Sequence, residues 1–444
     1  MPGEGPQPAP PHPKKKTTGK IMSDATDTGP VLAADGTPLK RSLQRALRAQ
    51  KLRALALIAP LLIFILVTFI APIADMLFRS VENQIVSETL PRTVVALKDW
   101  DADAAEAPGE AVFAALAADL KVAAEAKTHT KVGVRLNYQK TGIASLFRKS
   151  GRKVKRWDLE ADAPFKEKFL DIDEDWGDPE VWQTIQTYSS PYTAGYFLNS
   201  VDMELGPDGV QPVDEDLAIY RLLFNRTLFM SLVIMGSCVL LGYPIAFLLA
   251  NLPLRTSNML MILVLLPFWT SLLVRTSSWK VLLQQQGVIN DVLVWAGLVD
   301  DAGRLVMINN QFGTIVAMTH ILLPFMILPL YSVMKTIPPS YVRAAKSLGA
   351  TNWTAFWRVY FPQSVPGIGA GCILVFILAI GYYITPELVG GTDGTFISNR
   401  IAYHISRSGN WGLGAALGTI LLAVVLVLYW VYDKIVGIDN VSLG

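Results

Sequence analysis

The chain has 444 residues, 51% hydrophobic and only 17% charged, whereas ordinary soluble domains carry about 25% charged residues. It is too apolar for an ordinary soluble protein and points to the membrane. Its 39 basic and 37 acidic residues leave a net charge of +2, so nothing in the balance marks a nucleic-acid partner. Cys238 and Cys372 lie in apolar runs, and His12, His129, His320 and His404 are scattered. The reading is therefore no disulfide, no metal site and no catalytic constellation.

Residues 1–39 are rich in Pro, Gly, Thr and Lys and read as a disordered cytoplasmic tail. Residues 40–74 form a basic lead-in and the first transmembrane helix. Lys40, Arg41, Arg45, Arg48, Lys51 and Arg53 crowd before a charge-free run at 54–74, long enough for a bilayer core that needs about 20 residues. A secretory signal has a shorter apolar part nearer the start, so this run reads as an uncleaved anchor.

Further apolar runs at 227–250, 257–274, 313–334, 367–389 and 413–432 predict an all-α membrane protein of about six transmembrane helices. Pro60, Pro244, Pro267, Pro324 and Pro329 fall inside the runs and read as kinks, because neighbouring helices re-satisfy the freed carbonyls. The basic first flank predicts cytoplasmic termini, the second being a short tail at 435–444, with residues 75–226 as a large extracytoplasmic insert. Within that insert Phe113, Leu116 and Leu120 recur at helical spacing in an alanine-rich stretch, and Trp176, Trp182, Tyr188 and Tyr192 close it. Between them Arg148, Lys149, Arg152, Lys153, Lys155 and Arg156 form a basic stretch, which reads as a solvated face or as a surface for anionic lipid or an acidic partner.

The permease core at 227–434 contains a loop at 335–366 that lacks Asp and Glu. Pro338 and Pro339 suit a helix start. Tyr341, Ala344, Ala345 and Leu348 follow at i, i+3, i+4 and i+7, one apolar face. Gly349 suits a left-handed end; Thr351 or Asn352 then caps a second helix bearing Trp353, Phe356, Trp357 and Tyr360, which Pro362 ends. Two short amphipathic helices joined by a glycine turn, with exposed apolar surface, need a protein partner.

The stretch RAAKSLGATNWTAFWRVYFPQSVPGIGAG, from Arg343 to Gly371, resembles the cytoplasmic signature of permease subunits of binding-protein-dependent (type I) ABC importers. That signature is a Glu-Ala-Ala triplet, a glycine, then an aromatic and a proline-containing return. Arg343 stands where the family has Glu. The resemblance implies that Arg343, Ala344, Ala345, Leu348, Gly349 and Phe356 form a coupling contact with an ATPase. LLPFWTSLLVRTSSW, LLQQQGVIN, GYYITPELVGG and NWGLGAALG resemble the spermidine/putrescine-type branch. The implied partners are two ABC ATPase subunits that bind ATP and Mg, a second permease subunit, an extracytoplasmic solute-binding protein and membrane lipid. The implied setting is a bacterial inner membrane, and the implied cargo is a small organic solute, a polyamine or alternatively an amino acid or opine-like compound.

No Gly-x4-Gly-Lys-Ser/Thr stretch is present, so the chain itself has no P-loop and no cofactor is expected in it. GIGAG at 367–371 and the Gly414 and Gly418 pair follow no strand and read as helix-packing surfaces. The candidate transport path is His320, Tyr382, Tyr383, Thr385 and Glu387, because ionisable groups within spans are expensive. For Glu387 an interfacial position, and for His320 a helix-to-helix hydrogen bond, are the structural alternatives. A stand-alone secondary transporter is the rival class, but it predicts internal repeats and leaves the 335–366 loop without a role.

Overall fold

A computed structural model describes residues 39–101, 105–206, 209–215 and 218–436. The expected tail at 1–39 lies outside these residues but for Leu39, and so does most of the second tail at 435–444. The chain divides into two units, residues 1–72 and 73–444. In the first, the helix Leu39–Ile65 contains Pro60 and passes into a π turn at Leu66–Ile70. The helix Ala71–Arg79 continues it into the second unit.

Five helices among the described residues are long and apolar enough to cross a membrane: Gln50–Arg79, Tyr220–Asn251, Gln311–Thr336, Asn352–Gly381 and Trp411–Lys434. A sixth crossing is available only from a bent pair, Leu254–Trp269 and Leu272–Leu282, which meet at 94°. The expectation of one continuous span at 257–274 is thus corrected. Pro267 sits in a 3-10 turn at Leu266–Trp269, Thr270 and Ser271 are extended, and the Ser271 hydroxyl accepts from Val274 N to start the next helix. A proline followed by an N-cap serine ends one helix and begins another. Pro244, Pro324 and Pro329 stay inside continuous helices.

The helix Tyr220–Asn251 runs parallel to Gln311–Thr336, since Gly242 lies against Met326 and Ile327 while Lys335 Nζ donates to Ala250 O at 3.3 Å. Asn352–Gly381 packs antiparallel on the latter: Gly367 meets Leu330 and Val333, and Gly371 meets Met326. The GIGAG stretch therefore brings backbones close where any side chain would intrude. A Cβ at Gly371 would lie 2.5 Å from Met326 Sδ. Of the second glycine pair, Gly414 faces Ile405, whereas Gly418 has open space beside it.

The segment between Arg79 and Tyr220 has its own core, in which Phe113, Phe147, Phe169, Trp176 and Trp182 are fully buried. Phe113, Leu116 and Leu120 share the buried face of the helix Glu110–Glu125. Trp176 Nε1 donates to Ser150 Oγ at 2.9 Å and Trp182 Nε1 to Trp176 O at 2.9 Å, so neither indole is buried unpaired. Tyr192, by contrast, is 58% exposed. The basic stretch is the exposed side of the helix Ile143–Val154 and its end, with Lys149 bound to Asp173 at 2.5 Å. A hairpin, Met203–Gly206 with Gly209–Pro212, follows. Asp202 then accepts from Tyr220 N and Arg221 N at 2.9 and 2.7 Å, fixing the start of the Tyr220–Asn251 helix through its exposed amides.

Candidate functional site

Two regions of the second unit carry the residues singled out by sequence. The first is the connection after Thr336. Pro338 precedes the helix Pro339–Ser347, whose end is a left-handed glycine: Gly349 has φ +89°. Gly349 N donates to Lys346 O at 3.0 Å and Ala350 N to Ala345 O at 3.1 Å, the paired bonds of a Schellman end. Thr351 is the cap, its hydroxyl accepting from Thr354 N at 3.2 Å.

Beyond it the expectation of a separate second helix ended by Pro362 is overturned. The helix Asn352–Ala355 passes through a π turn, Phe356–Tyr360, into Phe361–Gly381 without interruption. Pro362 directly follows the π turn, where Phe361 N already bonds Phe356 O five residues back and the regular i to i−4 ladder is shifted. Leu348 is 89% exposed and Trp353 72%, with Tyr341, Arg343, Ala344 and Gly349 exposed beside them and Ala345 half-buried. Phe356 faces the other way. Its ring packs 5.7 Å from Phe247, 6.0 Å from Tyr360 and 6.2 Å from Tyr243, so it anchors the loop to the bundle rather than presenting an outward face.

The second region lies beyond Gly381, at the other end of the bundle. The expected span at 367–389 stops there. Tyr382 is extended, and a separate helix, Ile384–Val389, carries Glu387. Pro386 lacks the N–H that would have continued the helix back to Tyr382 O, and that carbonyl instead accepts from Ser398 Oγ at 2.6 Å. Asn399 Nδ2 joins the two segments, donating to Tyr383 O at 2.9 Å and Glu387 Oε2 at 2.8 Å. A cavity of 420 Å³ opens here, lined among others by Tyr383, Glu387, Asn399, Arg400, Tyr403 and Arg407.

Of the five path candidates this cavity brings together Tyr383 and Glu387. Tyr382, Thr385 and His320 do not line it. Thr385 is buried, its hydroxyl 3.1 Å from that of Thr276. His320 accepts from Trp279 Nε1 at 3.0 Å, the helix-to-helix bond of the structural alternative. Asn399, Arg400 and Arg407 were missed because they lie in ISNRIAYHISRSGN, a polar stretch that a search for apolar runs passes over. Its density of Asn, Arg, Ser and Tyr between two spans was the available signal.

The described residues thus form a helical bundle of membrane-spanning length and composition. The sequence is also matched by the family described as "Binding-protein-dependent transport system inner membrane component", over residues 242–436. The spermidine/putrescine transport system permease protein PotB of Salmonella typhimurium (strain SL1344) is 35% identical over 215 residues, 48% of this chain and 74% of that protein. The inner membrane ABC transporter permease protein YdcU of Escherichia coli (strain K12) is 31% identical over 264 residues, 55% of this chain and 80% of that one. A crystal structure of a bacterial alginate ABC transporter, in complex with alginate pentasaccharide-bound periplasmic protein, contains a chain 20% identical to this one. It covers 48% of this chain and 77% of its own at a TM-score of 0.40.

The chain belongs to the binding-protein-dependent transport system inner membrane family, and is a permease subunit of an ABC importer. Permeases of this family are not enzymes: ATP is bound and hydrolysed by separate ATPase subunits. The matched stretch includes both regions described above, and the segment between Arg79 and Tyr220 lies outside it.

Proposed function

We propose that this subunit moves a small organic amine of the polyamine class inward across a bacterial inner membrane, with a second permease subunit, and that two ATPases drive it through the 335–366 loop. The observation that carries the coupling assignment is the exposed tip at Leu348, held on a rigid capped helix. Trp353 and Tyr341 are exposed on the same loop as Leu348, and apolar side chains exposed together, not singly, mark an interaction surface. Arg343, Ala344, Ala345, Leu348 and Gly349 form the contact, and Phe356 positions it. Arg343 meets the ATPase with a cation where the family has a carboxylate, so it pairs with an acidic group there.

In this reading the loop and both termini are cytoplasmic. The segment 80–219 is extracytoplasmic and seats the solute-binding protein. The insert leads into the start of the Tyr220–Asn251 helix and the loop begins beside its other end, where Lys335 Nζ donates to Ala250 O; the 32 residues of that helix span roughly 48 Å at 1.5 Å per residue. The solute passes the cavity beside Glu387, the one carboxylate among the described residues lining it, with the Tyr383 ring offering a face to an ammonium group. The names of the relatives support a polyamine.

Impermeant thiol labelling of intact cells tests the orientation. A cysteine replacing Lys149 is expected to label directly, and one replacing Lys346 only after permeabilisation. The reverse pattern would invert the assignment.

A further inference from the structure

The limb Leu272–Leu282, beyond the 94° bend, carries a cation that the rest of the described chain does not answer. Trp279 on this limb bonds His320, which stands roughly 14 Å from the start of the helix Gln311–Thr336 at 1.5 Å per residue. The limb therefore reaches into a hydrocarbon core about 30 Å thick. Arg275 lies one turn before Trp279, is partly buried, and is close enough for its charge to be felt at His320 and Tyr382. Its Nε is enclosed and unbonded, and its guanidinium forms no ion pair among the described residues.

The elements packed most closely on the limb supply no free anion. Ile384–Val389 turns Thr385 toward it, with the hydroxyl 3.1 Å from that of Thr276. Glu387, two positions on, points about 200° away at 3.6 residues per turn and accepts from Asn399. Gln311–Thr336 contains no Asp or Glu. On Val288–Trp295, Asp291 is paired with Arg304 at 2.7 Å. Lipid tails offer no acceptor either. Around Arg275 the limb is apolar and open: Leu273 and Val274 are each 58% exposed and Val281 56%, which suits a protein or lipid neighbour and not the wall of an aqueous path. A cation at this depth is costly unless something pairs with it.

We propose that Arg275 pairs inside the membrane with a carboxylate of the second permease subunit, and that Leu273, Val274 and Val281 pack on that subunit around the pair. The inference rests on the reading that two permease subunits form the transporter. Pro267 and the Ser271 cap, which bend the chain here, thereby set the angle at which the limb meets its partner.

Native mass spectrometry of the detergent-extracted transporter tests it. The parent is expected to retain both permease subunits. Arg275→Gln should weaken their association about tenfold or more, as truncating one side of a desolvated charge pair does. Arg275→Lys should keep them together, and Arg275→Glu should separate them further. Replacing the second subunit's intramembrane Asp and Glu by Lys, one at a time, should restore assembly with Arg275→Glu at one position. Val274→Cys, in a background lacking Cys238 and Cys372, leaves Arg275 in place and is expected to join the second subunit through a short bifunctional reagent. The inference is overturned if Arg275→Gln and Arg275→Glu assemble like the parent, even with transport impaired, if no lysine position restores assembly, or if Val274→Cys does not join the second subunit. A parent transporter with one permease subunit would overturn the two-subunit reading and this inference together.

Discussion

Replacing Gly349 by valine is expected to leave the membrane bundle assembled and to uncouple it from ATP. The φ of +89° at this position is one that L side chains rarely adopt, yet a Cβ there would meet nothing within 4 Å. The effect is therefore conformational and not steric, at about 1–3 kcal/mol for a β-branched residue in a sparsely populated region. The chain escapes the strain by rotating Gly349 to negative φ. That breaks the bonds from Gly349 N and Ala350 N to Lys346 and Ala345 and swings Leu348 away from its present direction. Since 1.4 kcal/mol is tenfold in affinity, ATPase association should fall by roughly one to two orders of magnitude while membrane levels stay normal. Gly349→Asn, which tolerates the left-handed region, should fall between the two. Copurification with the ATPase and stimulation of ATP hydrolysis by loaded binding protein read the effect. Normal values for both in Gly349→Val would remove the turn from the mechanism.

Gly390→Ala is expected to damage the opposite end. Its Cβ would lie 2.6 Å from the carbonyl oxygens of both Gly394 and Pro386. These are backbone atoms on two sides, so no side chain can rotate out of the way. Gly394 N donates to Gly390 O at 2.8 Å, and Thr314 Oγ1 donates to Gly394 O at 3.2 Å. The turn thereby sets how Ile384–Val389 faces Ile397–Tyr403, and with it the Asn399 to Glu387 bond. Overpacking of this kind costs about 1–3 kcal/mol or more. Gly390→Ala should lower the thermal midpoint and transport while retaining ATPase association, the converse of Gly349→Val. Gly236→Ala, at an exposed helical site with nothing within 4 Å, is the control and should be neutral. A Gly390→Ala transporter that matches this control would mean that the turn does not shape the cavity.

The long apolar runs were legible because hydrophobic length alone decides them: residues 227–250 and 313–334 sit inside Tyr220–Asn251 and Gln311–Thr336. The left-handed Gly349 was legible too, since the apolar face ends one residue before it. Interruptions were not. Pro267 and Pro244 look alike in an apolar stretch, and only the Ser271 cap distinguishes the broken helix from the continuous one. The π turn at Phe356–Tyr360, which lets the helix run through Pro362, has no local signature. Phe356 shares the spacing of Trp353 and Tyr360, but the ring of Phe247, over 100 residues earlier in the chain, decides that it turns inward. Helical periodicity gives a residue's face and leaves its partner open.

Cross-linking from position 348 in the assembled transporter tests most directly whether ATP acts on this chain through the loop. In a background lacking Cys238 and Cys372, a cysteine replacing Leu348 is expected to join the ATPase subunit through a short bifunctional reagent, with a yield that changes when ATP is added. A cysteine replacing Lys149 on the insert should not join it. Cross-linking to the ATPase from 149 and not from 348, with the complex intact, would contradict the coupling mechanism and the orientation together.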